Sequence, residues 1–389
     1  MLKGREITVL GAGVAGLSAA LALSARGARV RVLEQAPEIA EVGAGLQISP
    51  NGVAVLEALG LGGQARALAV ENRAVHLKDY REGISVVRLD LARDAPGQRF
   101  LLFHRADLIG LLADAVRRAG IAVELGRVVQ EVHEDDRGVG LRFSDGSEEE
   151  VAFLVGADGL HSCLRRHLEG PARPFFTGQV AWRAVVPAPQ GMAPEAVVYM
   201  APGRHLVTYP LREGRLANIV AVEERRTWVE EGWSQRGDAG EMRRLFGDFA
   251  PPVRQLLQRV ETVHLWGLFR HPVARRWHGA RSVLAGDAAH PTLPFLAQGA
   301  NMALEDAWVL AACLDAASPP EALAAYQARR LPRVARVIAA ANANARNYHL
   351  RNPLARFAAH SALRLAGALA PGRMLSRFNW IWQHDVTRG

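Results

Sequence analysis

Three short stretches of the chain carry residue types whose spacing could do chemistry. The first is Gly11-Ala12-Gly13-Val14-Ala15-Gly16, a G-x-G-x-x-G between the β-rich run "EITVL" and the helical run "LSAALALSARG". In such a strand–turn–helix the first glycine lets the chain turn sharply and the second lets backbone approach a pyrophosphate. The third lets the helix lie against the strand. Glu34 ends the following strand "ARVRVLE", 18 residues after Gly16, where a carboxylate can accept hydrogen bonds from ribose hydroxyls. The chemistry implied is dinucleotide binding at a helix N-terminus. The pattern occurs once, so one nucleotide is expected to be held tightly and any second one to visit transiently.

The second stretch is "GDAAHPTLPFLAQGANMALED", Gly286 to Asp306. Asp287 follows an apolar run, two prolines intervene, and a helical pattern opens at Gln298-Gly299-Ala300-Asn301. A helix start offers unpaired N–H groups and a positive dipole end, worth about 0.3–1 kcal/mol when exposed and up to about 2 when partly buried. Small residues there let backbone come close to a ligand. His290, inside the turn, reads as structural. The third stretch, "GRHLVTYPL", puts His205 and Tyr209 four apart on a strand, hence on one face and roughly 13 Å apart. Taken bare, that pair is a half-exposed histidine and a sheet tyrosine. A fourth signal, D-G-x-x-S-x-x-R over Asp158 to Arg165, taken alone is a strand-to-helix turn with an Asp cap. Its place after the hairpins and ahead of a second sheet is what makes it informative.

The elements that must position these residues follow from periodicity. "GAGLQISPNGVAVLEALGL" reads as a Gly-rich loop and a helix starting near Asn51. "RAVHLKDYREGISVVRLDL" reads as a hairpin around Glu82-Gly83, and "HRADLIGLLADAVRRAG" as an amphipathic helix ending on Gly120. From about Phe175 to Arg270 the character changes to short strands, as of a separate sheet inserted into the dinucleotide domain. "SVLAGD" returns to the first domain, and long Ala/Leu/Arg helices fill most of residues 298 to 370. The expected division is 1–174, 175–272 and 273–389.

Composition narrows the function classes. The chain has 389 residues, 49% of them hydrophobic, enough for two or three packed units and unlike a disordered or fibrous chain. The formal charge is 47 − 39 = +8, but the basic residues are dispersed and lack aromatic interleaving. Anionic small molecules are therefore expected as partners, and nucleic acid is not. Two cysteines, Cys163 and Cys313, imply no disulfide framework and fit a reducing cytoplasm; no metal site is expected. The basic start and apolar core of residues 3–25 imitate a signal peptide, yet glycines at fingerprint spacing give the stricter account. No other apolar run approaches 18 residues, so no membrane span is expected.

"GAGVAG", "DGLHSCLR" and "GDAAHPTLPFLAQGAN", in that order and at these separations, resemble the single-component FAD-dependent aromatic hydroxylases. That family includes salicylate, 6-hydroxynicotinate and 3-hydroxybenzoate hydroxylases. The resemblance spans essentially the whole chain, and "RFNWIWQHDV" looks like the W-L-Y-x-Y-D ending of the salicylate branch, with Trp382 and His384 at the tyrosine positions. It implies an α/β fold: a glutathione-reductase-type FAD domain with an inserted, mostly antiparallel sheet and C-terminal helices. It also implies a tightly but non-covalently bound FAD, NADH or NADPH as transient co-substrate, and O2. Oxygen would reach a phenolic or hydroxy-heteroaromatic ring, carboxylated in the reading favoured, through a flavin C4a-hydroperoxide. The protein would be a monomer or homodimer.

By the same resemblance the FAD site comprises Gly11, Gly13, Ala15, Gly16, Glu34, Gln47, Arg105, Asp158, Asp287, Gly299, Ala300 and Asn301. Arg105 falls near the pyrophosphate, Asp158 near the flavin and the visiting nicotinamide, and Asp287 on the ribityl chain. His205 becomes the acceptor of the substrate's hydroxyl proton and Tyr209 the group that orients the ring. Two departures bear on the substrate. Pro294 stands where the 3-hydroxybenzoate enzymes carry Gln, which argues against para-hydroxylation of that compound. Gln47 stands where some nicotinate enzymes carry His. Other readings are a polyketide or quinone hydroxylase of the same fold, or a flavin-free carrier like the prenyl-GTPase dissociation inhibitors.

Overall fold

The computed structural model describes residues 1–39, 44–171, 173–225, 227 and 235–388, with the backbone alone for 344–347. The start of the Gly-rich loop read at Gly43 lies outside the described residues. Two sheets decide the architecture.

A five-stranded parallel sheet has the order Ser282–Leu284, Leu154–Gly156, Glu6–Leu10, Arg29–Leu33, Ala122–Glu124. The helix Val14–Ser24 packs on its central strands, and the three-stranded antiparallel sheet of Val129–Glu134, Val139–Phe143 and Glu148–Val151 contacts it through its last strand. The register aligns Leu10 with Leu33 and with Gly156, and Gly156 with Leu284. One consequence is functional: Gly11, Glu34, Asp158 and Asp287 all leave the sheet at the same carboxyl edge. Ligands of open α/β sheets sit outside that edge. The signal-peptide-like segment is the strand Glu6–Leu10 followed by the buried helix Val14–Ser24. Among the described residues no helix is long and apolar enough to cross a membrane.

The second sheet has eight strands, in the order Arg236–Gly237, Val263–Arg270, Phe175–Pro187, Leu216–Glu224, Arg204–Leu211, Glu195–Ala201, Ala74–Asp79, Ser85–Asp90. Every pairing is antiparallel except Glu195–Ala201 with Ala74–Asp79. The hairpin at 74–90, which sequence order puts in the first segment, is thus hydrogen-bonded into the second sheet. Period-two alternation splits this sheet into two faces. Trp182, Leu206, Ile219 and Ala221 pack on the helices Ala239–Leu245 and Pro251–Gln258 through Met242, Val253 and Leu257. The opposite face, with Arg183, His205, Val207, Tyr209 and Val222, looks into a cavity.

The helix read from Asn51 begins at Pro50, with Ser49 in the cap position. Proline's fixed φ suits a first helical turn. Asn51 serves tertiary contacts, donating to Glu305 at 2.7 Å and Gln298 at 3.1 Å. The helices Gly299–Ala316, Pro319–Tyr348 and Pro353–Leu369 follow, and the short helices Pro371–Ser376 and Asn379–Trp382 come last.

Candidate active site

The three glycines of the first turn have separate physical surroundings. Gly11 has φ +102°, and a Cβ there would lie 2.4 Å from the Ala157 carbonyl oxygen. At Gly16 a Cβ would meet the Gly11 carbonyl oxygen. Gly13 has open space around it and heads the helix Val14–Ser24, whose first N–H groups receive no side-chain cap. A helix start left bare beside open space suits a pyrophosphate. Glu34 stands over it: Ala12 N–H donates to its Oε2 at 2.6 Å and Ala36 N–H to its Oε1 at 2.8 Å.

A cavity of about 890 Å3 runs from this turn to the inner face of the eight-stranded sheet. Gly13, Ala15, Gln47, Arg105, Asp287, Gly299 and Ala300 line it on one side, His205 and Tyr209 on the other. Asp287 is exposed on the cavity wall, with protein packed closely around it. Burial pushes its carboxyl up, against the pull of His290 and Arg105. The helix at Gly299 again starts without a side-chain cap, one residue after Gln298 and two after Ala297, which holds φ +52°. That left-handed conformation is uncommon for a residue with a side chain, and it aims the helix start at the cavity.

Two expected site residues turn elsewhere. Asn301 is buried behind the wall, accepting from Ser49 N–H at 2.9 Å and donating to the carbonyls of Gln47 and Ala297. Asp158 accepts from Cys163 N–H at 2.8 Å and faces the helix Cys163–Glu169, while its neighbours Ala157 and Gly159 line the cavity. Its Oδ1 is buried without a hydrogen-bond partner, and burial raises its carboxyl. Ser162 caps the same helix through Arg165 N–H at 2.9 Å, and Arg165 reaches the Pro272 carbonyl. The D-G-x-x-S-x-x-R stretch is therefore a turn with two caps.

His290 lies with its Nε2 2.5 Å from Asp306 Oδ2, and Trp277 packs on its ring. Asp306 also accepts from Gly286 N–H at 2.9 Å, so the pair holds the turn that presents Asp287.

His205 and Tyr209 are both about 3% exposed on the strand Arg204–Leu211. Burial drives the Tyr209 hydroxyl well above its ordinary range, against Arg183, Gln47 and Asn218. It stays protonated, with the Gln47 and Asn218 side chains beside its oxygen. Gln47 therefore stands at the seam between the two halves of the site. Burial, and then His349, lower the His205 imidazole well below its ordinary value, so it is a neutral base at pH 7.

Several groups at this end escape sequence reading. His349 meets His205 at 2.7 Å from 144 residues away. Trp266, Arg183 and Trp382 also line the cavity. Alternation in "QVAWRAVV" carries the signal for Arg183, since burying Trp182 on one face turns Arg183 to the other.

Comparison with known proteins adds the deciding observation. Residues 5–341 match the family model described as FAD binding domain. The chain belongs to that family. The 3-amino-4-hydroxybenzoate 2-monooxygenase of Streptomyces cremeus is 39% identical over 354 residues, covering 89% of this chain and 88% of that one. The 3-hydroxybenzoate 6-hydroxylase of Polaromonas naphthalenivorans is 35% identical, covering 88% of each. Klebsiella pneumoniae HpxO, solved with FAD and uric acid, superposes with a TM-score of 0.86 at 28% identity over 97% of both chains. The protein is a flavin-dependent aromatic-ring monooxygenase, as its motifs led us to expect.

The residues present fit FAD: a bare helix start at open Gly13, the Glu34 carboxylate, Arg105 and Asp287 on one wall, and an uncapped helix at Gly299. Replacing Glu34 by alanine removes a charged acceptor, each such hydrogen bond being worth about 1.5–3 kcal/mol. Titration of the apoprotein with FAD should show at least about tenfold weaker binding. Wild-type affinity in the variant would place the ribose elsewhere.

Proposed function

We propose that the protein hydroxylates a small phenolic carboxylate, consuming NAD(P)H and O2, with His205 taking the hydroxyl proton and Tyr209 orienting the ring. The observation that carries this reading is one continuous cavity joining the dinucleotide turn to the His205–Tyr209 face of the sheet. FAD held there would supply the redox chemistry that links NAD(P)H and O2 to an electrophilic oxygen. The chain's own residues do the rest. Gly13, Glu34, Arg105 and Asp287 hold the cofactor, and Gly299 with Ala300 admits it close to backbone. Apolar Trp266, Phe295 and Leu293 keep water from the reacting ring. His205 draws the proton from the ring hydroxyl, which makes the ring electron-rich where oxygen must enter. Arg183, beside Tyr209 and Trp266 on the cavity wall, gives a carboxylate its counter-charge. Both relatives are named for hydroxybenzoates, which supports this class.

One observation favours a second reading. The cavity continues into an apolar lobe lined by Leu77, Leu89, Phe100, Leu363, Met374 and Phe378, with room for a fused or alkylated ring such as a quinone or polyketide.

The purified protein should be yellow, and denaturing it should release about one equivalent of free FAD into the supernatant. Hydroxybenzoates, aminohydroxybenzoates and quinols are then screened for stimulated NAD(P)H oxidation, with peroxide measured separately. A colourless protein that takes up no added FAD would end the proposal, and stimulation by quinols alone would select the second reading.

A further inference from the structure

A proton taken by a buried histidine must leave, or the base works once. The nitrogen of His205 engaged by the protein is Nδ1, 2.7 Å from His349 Nε2, so Nε2 is the nitrogen left to face the cavity. His349 stands just past the end of the helix Pro319–Tyr348 and is anchored by its carbonyl, which accepts from Gly203 N–H. Its own Nδ1 lies 3.1 Å from Glu224 Oε1, and Arg351 Nε donates to Glu224 Oε2 at 2.9 Å. Side-chain exposure along this line is 3% at His349, 32% at Glu224 and 70% at Arg351. The line runs from the cavity to water.

We propose that His205, His349 and Glu224 form a proton exit that carries the substrate's hydroxyl proton from the active site to solvent. The inference rests on His205 being the base. His205 Nε2 accepts the proton from the ring hydroxyl, and His205 Nδ1 passes one to His349 Nε2. His349 Nδ1 passes one to the Glu224 carboxylate, which releases it to water. Each imidazole gains and loses one proton and ends neutral as the other tautomer, and a proton passed back along the line from water to the ring oxygen, as the product's hydroxyl re-forms, restores both. His349 has a partner in both states. With Nδ1 protonated it donates to Glu224. With Nδ1 bare it can accept from Gln179 Nε2, 3.3 Å away.

The electrostatics suit a neutral wire with a charged outlet. Burial lowers both imidazoles, His349 against the pull of Glu224. Burial raises Glu224, but Arg351 and His349 outweigh it and leave the carboxyl below its ordinary value. The other groups around the line do not compete. Tyr348 and Phe295 flank the His205 ring, and Glu223 is committed to Trp182 and Arg225. Arg204 is held by the Leu245 carbonyl and Asp248. His349 and Glu224 do not line the cavity; they act through His205 and set its tautomer.

The test uses the full-length FAD-loaded protein and 3-amino-4-hydroxybenzoate as the phenolic probe. Proton release into weakly buffered solution is followed by stopped flow with a pH indicator. His349→Gln keeps an amide in place but cannot change tautomer. It should slow proton release and the hydroxylation step roughly 10²-fold, the low end for general-base effects, with probe affinity and melting temperature unchanged. Glu224→Gln should act in the same direction, and imidazole added to His349→Ala should restore part of the rate. Arg351→Ala, a surface change that spares the fold, gives an independent check. The outlet needs the Glu224 carboxylate, so activity is present above its pKa and lost as pH falls through it. Removing the guanidinium raises that pKa, and the acid limb of the pH–rate profile should move upward. If His349→Gln and Glu224→Gln release the proton at the wild-type rate while His205→Ala does not, the exit is wrong and the base reading stands. Wild-type release by His205→Ala overturns both.

Discussion

Replacing His205 by alanine should slow ring hydroxylation by about 10²–10⁴-fold, the usual contribution of a positioned base, while NAD(P)H is consumed at nearly the wild-type rate. Hydride transfer from the nicotinamide needs no base at the substrate, so the two half-reactions separate in this variant and in few others. Oxygen taken up without hydroxylation should appear as hydrogen peroxide. Raising the pH should recover part of the rate, because a phenol near its ordinary pKa of about 10 then ionises in solution. The sign of the histidine shift matters here. Burial, with His349 second, lowers the imidazole, so the neutral form persists as pH falls below the ordinary histidine value. Loss of activity on the acid side then belongs to the outlet at Glu224 or to the substrate. Stopped-flow separation of reduction from hydroxylation decides the matter: unchanged coupling in the variant returns His205 to a packing role between Phe295 and Tyr348.

What sequence can and cannot see follows from where the signals sit. The dinucleotide turn is local, so its spacing alone predicts a sharp turn at Gly11 and close packing at Gly16, and the structure has both. The inserted sheet is legible for the same reason, since period-two patterns and turns are short-range. Its boundary with the hairpin at 74–90 is not, because a parallel pairing between Ala74–Asp79 and Glu195–Ala201 spans more than a hundred residues and leaves no local trace. Asp158 shows the limit of motif reading. The residue stands at the expected strand edge, but its carboxylate faces the backbone of the next helix, and only packing decides that direction. His349 is harder still. Its distance from His205 depends on where a 30-residue helix ends relative to a sheet, and nothing in "NYHLRN" announces it. Nothing local in "RRLPRVAR" marks Arg330 for burial, and the fold places it at 1% exposure.

That buried arginine supports the second large effect: Arg330→Met should destabilise the FAD domain by about 3–5 kcal/mol, the usual cost of breaking a buried ion pair from one side. Arg330 Nε reaches Asp306 Oδ1 at 2.6 Å, Nη1 reaches Glu305 Oε2 at 2.5 Å, and Nη2 donates to the Met302 carbonyl. Both carboxylates are fully buried. Burial alone would raise them, and Arg330, with Arg333 for Glu305 and His290 for Asp306, holds them below their ordinary values instead. Depressed carboxylates contribute stability that is full above the ordinary carboxylate range and lost as pH falls through the lowered values, so acid and the variant should act alike. The damage should also reach the site. Asp306 fixes Gly286 N–H and His290, and Glu305 fixes Asn51 beside Gln298, so both the Asp287 turn and the helix start at Gly299 lose their footing. Unfolding of a chain with two sheets need not be two-state, so the urea midpoint for FAD release is the quantity to follow. Methionine keeps most of the volume and removes the charge. Adding Asp306→Asn to Arg330→Met should then recover part of the loss, because an uncompensated charge costs more than a missing pair. A shift worth less than about 1 kcal/mol in the single variant would mean that Arg333 and His290 already neutralise the cluster, and the double variant would then be worse than the single.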